Sequence, residues 1–398
     1  MKKIILMVCL VFVFCSVVLT AYAMSIDSTL PTNIVRDEFS PTVDVDVSLR
    51  SFLNDVFEAL KDSPEIYALS SEQLNEIEIS SPYRILQYND NTITAMNKVS
   101  YFIRVDDSII GVATLAKYND EYLWDFSTEL TEQYTQILKT DKPFVLITEG
   151  SRLWVLDSDN TKQCLVDYSC EHNLLKQTSM VNERTCFEDI NIAFQSCGEF
   201  SVDPNSFHSF QPQVTVSSNM TDEKQTTRSI TPALMDLTSP WYHACNNACI
   251  ASIVKTRLPS EYSNLNGLIV EETINVGRLG ANKEYIATHM KNYYLPSSEH
   301  YTTYHSVSYT VDQFKNNCNA NHLMIDVAYV GDVDDNLYHC VVTYDYIVSS
   351  SGGILVKFMD PSTVTYRMQQ WSSGNFQYYA DTTSSQTLVS QQIVISWY

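Results

Sequence analysis

The stretch Cys245-Asn-Asn-Ala-Cys249-Ile-Ala-Ser-Ile-Val254 decides the fold of the second half of the chain. It follows Pro240, which ends any upstream helix, and its small and apolar residues predict a buried helix that begins near Cys245. The dipole and the unpaired N–H groups of a helix start favour a thiolate at that position. Because the same N–H groups are suited to bind a developing oxyanion, we predict that Cys245 is a nucleophile.

A nucleophilic thiolate needs a base, and the best candidate is His339. It opens a β-rich run, 337–344, and after the turn residues 349–353 the chain returns as the apolar run 354–360. If these runs form an antiparallel hairpin, residues whose numbers add up to about 701 lie opposite each other. That register predicts that His339 lies close to Asp360.

Cys245, His339 and Asp360 thus form a predicted triad. Asp360 is expected to orient His339 through one imidazole nitrogen, so that the other nitrogen faces Cys245. Cys249 is the alternative nucleophile, since it lies one turn further along the same helix face.

This pattern resembles the papain-like cysteine peptidases of bacteria. The segment from Cys245 to Val254 is similar to their Cys-Trp-Ala-Ala-Cys-x-Ala-Ser-Ile-Val helix, and the His339 strand and the Asp360-Pro361 turn are similar to their later His and Asn/Asp elements. The resemblance covers residues 229–398 and has the same chain order of Cys, His and Asp. It implies a papain-like α+β domain, with a helix packed on an antiparallel sheet, and a peptidase activity.

Two positions depart from the family pattern. Asn246 stands where the family has Trp, and Ser239 stands where a Gln normally helps to form the oxyanion hole. His243 and Ser239 are the candidate replacements for that donor. The other aligned cysteine, Cys249, falls on a buried small-residue position of the family helix.

The N-terminus predicts export. Lys2 and Lys3 precede an apolar run that ends in Ala21-Tyr22-Ala23, which is typical of a signal peptide cleaved after residue 23. An uncleaved N-terminal anchor is the alternative. We therefore expect a secreted, extracellular protein.

Charge divides the chain into two parts and excludes some partners. The net charge is -22, and residues 24–228 carry 33 acidic and 15 basic side chains, against 14 and 8 in residues 229–398. A surface this acidic repels the phosphates of nucleic acids and anionic lipids. We therefore expect no nucleic acid partner, and no membrane contact other than through the signal peptide.

The first half predicts a small α+β domain. Residues 45–60 have the apolar spacing of an amphipathic helix, and a second helix is expected near 127–139. The runs 99–105 and 109–115 predict one hairpin, and 143–148 with 153–156 predict another. The polar residues 201–235 are typical of an exposed linker, in which Lys224 and Arg228 are candidate processing points.

These observations predict an α+β precursor with four parts: a signal peptide 1–23, a possibly inhibitory pro-domain 30–200, a linker 201–228 and a papain-like domain 229–398. Its expected partners are a protein or peptide substrate and its own pro-domain. Two alternatives stay open: a non-catalytic secreted binding protein on the same scaffold, and a cell-wall peptide amidase.

We predict no cofactor and no metal. One group of candidate ligands has spacings unlike those of zinc knuckles, and a second, acidic group is typical of a solvated loop. The first group is Cys164, Cys170, His172, Cys186 and Cys197, and the second is Asp332, Asp334 and Asp335.

Overall fold

A computed structural model gives the structure of the chain between residues 33 and 397. The described residues are 33–36, 39–41, 44–61, 63–67, 69–70, 72–73, 76–89, 91–118, 121–150, 152–167, 187–190, 192–212, 230–235, 245–267, 269–270, 290–294, 302–306, 310–330, 337–349, 353–361, 363–371 and 393–397. The predicted signal peptide lies outside them. No helix within these ranges is long and apolar enough to cross a membrane.

The fold is α+β, as the sequence predicted, and contains two sheets and few helices among the described residues. The α-helices are α1 Val45–Lys61, α2 Thr131–Leu138, α3 Cys245–Arg257 and α4 Val311–Asn319. Short 3-10 helices cover Phe187–Asp189, Phe194–Ser196 and Gly198–Phe200, and a π-helical turn covers Met290–Tyr294.

The smaller sheet has six strands in the order β1-β4-β3-β8-β9-β10 and is mixed, because β1 runs parallel to β4 and β3 runs parallel to β8. Its strands are β1 Asn33–Val35, β3 Leu86–Asn89, β4 Thr92–Ala95, β8 Phe144–Glu149, β9 Arg152–Asp157 and β10 Lys162–Asp167. All of them belong to the first half of the chain.

The larger sheet has eleven strands in the order β11-β2-β5-β6-β7-β16-β15-β14-β13-β17-β12, and every pair of neighbours is antiparallel. From the first half come β2 Glu78–Ile79, β5 Lys98–Val105, β6 Ser108–Tyr118, β7 Glu121–Ser127 and β11 His208–Ser209. From the second half come β12 Thr302–Ser306, β13 Leu323–Val330, β14 Leu337–Val348, β15 Ile354–Asp360, β16 Thr365–Trp371 and β17 Ile393–Trp397.

The local predictions for the first half are confirmed. α1 starts at the predicted Val45 and buries most of the predicted stripe, although Val47 is exposed, and α2 lies within the expected range. The hairpin of β5 and β6 turns at Asp106 and Asp107, both at positive φ, which is the turn geometry that suits strand twist. The hairpin of β8 and β9 turns at Gly150, whose φ of 57° favours glycine.

The two halves of the chain share one sheet, because β7 pairs with β16. Ser127 lies opposite Arg367, and Asp125 lies opposite Gln369. Arg367 is fully buried at this junction, and its Nη2 donates to Asp125 Oδ2 at 2.7 Å. A charge buried this deeply is tolerated only when it is paired, so the ion pair belongs to the core of the fold.

Helices cover both faces of the larger sheet. α3 shares a core with Cys340, Val342 and Met359, and α1 shares the neighbouring core with Leu355 and Met368. On the opposite face, α4 packs through Phe314 and Cys318 on a third core. Since adjacent strand residues face opposite ways, the α3 face carries the even-numbered positions of β14 near residue 340.

The segment assigned to the linker is packed at its start. The backbones of Val202 and Phe144 exchange two hydrogen bonds, and Phe210 N donates to Ile77 O at 2.7 Å. Both Val202 and Phe210 are buried. Residues 201–212 therefore belong to the fold of the first half, and residues 213–229, with both candidate processing points, lie outside the described residues.

Candidate active site

Cys245 is the first residue of α3, as the sequence predicted. The ten residues from Cys245 to Val254 are all buried, which explains why this helix has no amphipathic stripe: it is enclosed on every side. Cys245 itself keeps an exposed fraction of 7%, whereas Cys249 has none. Of the two candidate nucleophiles, Cys245 is the one with a route to solvent.

The start of α3 lies against β14. Cys340 of β14 is buried, shares the α3 core and is hydrogen-bonded to Cys245. This bond is the main cause of a pKa of Cys340 well above the usual thiol value, and burial adds to it. The two sulfurs are therefore in contact at the start of α3.

Cys249 is a packed thiol. Burial raises its pKa well above the usual value, and the charges of Cys245 and Asp360 add to that effect. Reactive cysteines are partly exposed and lie in surroundings that lower the pKa, and Cys249 has neither property. Its environment fits the small hydrophobic role that the resemblance implied.

His339 lies in β14, next to Cys340 in sequence, and its backbone pairs with Ala328 of β13. Its side chain is outside the described part of the structure. The predicted register is confirmed: Val342 lies opposite Met359 and Thr343 opposite Phe358, and both pairs of numbers add up to 701. Continued by one pair, this register places Asp360 opposite the residue two positions after His339.

Asp360 ends β15 and is fully buried. Its Oδ2 accepts a hydrogen bond from Arg367 Nη1 at 3.4 Å, and the same guanidinium binds Asp125 through Nη2. Asp360 alternates with Met359, which faces α3, so its carboxylate belongs to the opposite face of the sheet. In the described structure this carboxylate is engaged by Arg367 and is separated from Cys245 by the sheet.

Sequence reasoning gave Asn246 and Asn247 no role, yet both are buried beside the candidate nucleophile. The Asn246 side-chain amide donates to Asn247 Oδ1 at 3.2 Å, while Asn246 Oδ1 is buried with no hydrogen-bond partner among the described residues. The sequence indicated these residues through two consecutive Asn in a helix whose other residues are mainly small and apolar. They supply polar groups where the family pattern has an aromatic ring.

Asp326 of β13 is the second unexpected group near the cysteines. It is buried, and burial raises its pKa to about 7, while the nearby Thr343 side chain acts in the opposite direction. Its charge contributes to the raised pKa of both Cys249 and Cys340. Asp326 therefore changes the charge near the cysteines around neutral pH.

Several candidate residues from the sequence lie outside the described residues. These are Ser239, His243, Cys170, His172, Cys186, Asp332, Asp334 and Asp335. Cys164 is exposed on β10 and Cys197 is buried, and no disulfide joins any cysteine that the structure describes. Within the described ranges, no group of three or more His, Cys, Asp or Glu side chains is placed to hold a metal ion.

Comparison with known proteins adds no assignment. No protein-family model matches this chain, and no curated protein matches it. The resemblance to papain-like peptidases therefore rests on the quoted residues, and the activity has to be argued from the site.

The contact between Cys245 and Cys340 predicts a selective disulfide. We expect glutathione disulfide to oxidise the pair: two thiols lose two protons and two electrons, one S–S bond forms, and the oxidant leaves as two molecules of glutathione. Peptide mapping by mass spectrometry of the folded full chain checks this. A Cys340→Ser variant is expected to lose the crosslink, and the Cys318→Ser control, which alters the α4 core, is expected to keep it. A bond from Cys245 to Cys164 or Cys249 instead would contradict the described contact.

Asp326 predicts a pH-dependent stability. The pKa of Asp326 in the folded protein, about 7, exceeds the ordinary value of 3.8. Its contribution to the free energy of unfolding is therefore fully present below about pH 3.8 and is lost as the pH rises through 7. Since one pKa unit corresponds to about 1.4 kcal/mol, the difference between the folded and the ordinary pKa corresponds to roughly 4 kcal/mol of stability. We expect Asp326→Asn to gain stability relative to the natural chain between pH 5 and pH 8, measured by urea unfolding. The exposed Asp312→Asn should show no such gain, and an equal gain in both variants would refute the assignment.

Proposed function

We propose that this protein is an exported cysteine-type hydrolase, with a peptidase as the leading assignment. Cys245 attacks the carbonyl of a peptide bond as a thiolate, and His339 acts first as base and then as acid. The products are an amine and an acyl-enzyme that water releases. Asp360 is left out of this proposed site, because its carboxylate is held by Arg367 on the face away from α3. The chain is made as a precursor whose connecting segment is processed.

One observation carries this proposal: Cys245 lies at the start of a buried helix packed on β14, the strand that contains His339. Cys340 faces α3, so the proposal requires the imidazole of His339 to reach the α3 face from the neighbouring position. The first N–H groups of a helix have no partner within it, so they support both a thiolate and an oxyanion at Cys245. The Cys340 thiol contacts the same sulfur. A helix packed on an antiparallel sheet with this chain order also agrees with the papain-like resemblance.

A second candidate function is a non-catalytic secreted binding protein on the same scaffold. It is favoured by the carboxylate of Asp360, which is held by Arg367 on the face away from α3. It is also favoured by the low exposure of Cys245 and by the buried Asn246 at the position of the family's aromatic residue. In this case the cysteines serve packing alone. A cell-wall peptide amidase would share the proposed chemistry and differ in its substrate.

Labelling with a thiol-directed epoxide separates the two candidates. In the full chain at near-neutral pH, with the connecting segment intact and cut, we expect Cys245 to label at least about ten times faster than the exposed Cys164, because only an activated thiolate outruns an exposed ordinary thiol. His339→Ala should remove this advantage. Labelling of Cys245 no faster than that of Cys164 in both forms, or unaffected by His339→Ala, would contradict the peptidase proposal.

Digestion of a denatured protein and of cell-wall peptides then identifies the substrate class. We expect Cys245→Ala to lower kcat by a factor of about 10³ or more, while the matched Cys249→Ala keeps activity within a few-fold. Retention of full activity by Cys245→Ala would exclude it as the nucleophile.

A further inference from the structure

We infer that the first half of the chain, residues 33–212, is a permanent structural part of the folded protein, and that it stays bound to residues 230–397 when the segment between them is cut. The protein would then be one two-chain molecule, and its N-terminal half would not be a dissociating inhibitor. This inference goes beyond the proposed function, because it does not require Cys245 to be catalytic.

The first support is the backbone pairing of β7 with β16, with Arg367, Met368 and Gln369 opposite Ser127, Phe126 and Asp125. Separation of the halves would turn both strands into edges with unpaired N–H and C=O groups. Both strands are largely buried in the structure. The separated surfaces would therefore expose apolar edge strands, which bind other chains in preference to water.

The second support is the charge at the centre of this junction. Arg367 has no exposed side-chain surface, and its partner Asp125 retains only 2%. Burial raises the pKa of Asp125, and Arg367 opposes that rise. Removal of the first half would take Asp125 away from Arg367 and leave the contact with Asp360, at the longer distance of 3.4 Å. The buried positive charge of the second half is thus neutralised in part by a carboxylate of the first half.

The third support is a core that takes side chains from both halves. Phe52 and Val56 of α1 share one apolar cluster with Leu355 and Met368 from the second half. Polar contacts border this cluster: Ser349 Oγ donates to Asp55 Oδ2 at 2.6 Å, and Tyr344 OH donates to Glu65 Oε1 at 3.2 Å. Burial against α1 is therefore part of the stability of β15 and β16.

Each end of the connecting segment is also held by its own half. Before the segment, Phe210 is fixed on β2 and the α1 core. After it, Ser252 and Thr256 of α3 bind the backbone of Ala233, and Tyr366 OH donates to Pro232 O at 2.7 Å. A cut between residues 213 and 229 breaks none of these contacts. Processing there cannot act by releasing the first half.

A cleavable connection tests this inference. A recognition sequence for a site-specific protease, flanked by Gly and Ser, is inserted within residues 213–229 of the full chain. After complete cleavage we expect both fragments to elute together in native gel filtration at micromolar concentration and to separate in concentrated urea. Amides of residues 122–127 and 365–371 should keep the hydrogen-exchange protection that they have in the uncut chain. Separate elution in native buffer would overturn the inference.

Matched variants locate the interaction. We expect Arg367→Met to raise the Kd between the cut fragments by about 30-fold or more, since it leaves two buried carboxylates without their partner. The control Arg152→Met removes an ion pair to Asp167 inside the first half and should leave the Kd unchanged. If Arg367→Met does not fold, the double variant Ser349→Ala, Tyr344→Phe gives the same test with a smaller increase. Equal Kd values for all variants would contradict the proposed junction. Because the readout is assembly, this result is independent of any failure to find peptidase activity.

Discussion

Arg367 has to be neutralised where it lies, because its guanidinium has no access to solvent. Asp125 and Asp360 provide that neutralisation from two different strands, one on each side of β16. Both carboxylates can reach the guanidinium only when β7, β16 and β15 lie side by side. The ion cluster thus specifies the join between the halves, and it does so at a cost: loss of Arg367 would leave two buried carboxylates without its charge, and breaking a buried ion pair typically costs about 3–5 kcal/mol.

Once this join is fixed, the neighbouring strands follow by successive antiparallel pairing. β15 and β14 form a hairpin, β13 pairs with β14, and the start of α3 packs on β14. The candidate nucleophile is therefore only three strands away from the first half of the chain, counted along β7, β16, β15 and β14. A change at the join is expected to reach the site through this rigid backbone pairing.

Local patterns in the sequence predicted a large part of this fold. The apolar spacing gave the bounds of α1, the turn residues gave both hairpins of the first half, and the arithmetic of the hairpin gave the register between β14 and β15. These features depend on residues that are close in the chain. Their physical determinants, side-chain periodicity and turn conformation, are readable in a single window of sequence.

The pairing of β7 with β16 was not predicted, because the sequence of neither strand indicates that the other is its partner. Arg367 and Gln369 alternate with apolar residues in β16, a pattern that normally indicates a solvated face. The same holds for Asp125 in β7. Only the pairing of the strands reveals that these polar positions meet inside the protein, where they complete one another. The step in charge at residue 228 describes surface composition and says nothing about which strands pair.

The two faces of the sheet explain why the candidate triad is harder to assign than the candidate nucleophile. A triad needs three side chains on one side of a sheet, whereas the hairpin register fixes only how far along the strands two residues lie. The predicted register holds near the end of β15 and places Asp360 opposite the residue two positions after His339, and alternation assigns its carboxylate to the face of Arg367. The α3 face presents Cys340 to Cys245 instead. Distance along a strand and choice of face are separate constraints, and the sequence argument had used only the first. The thiol of Cys340 is for this reason the best-defined partner of Cys245, and any account of the chemistry at Cys245 has to include it.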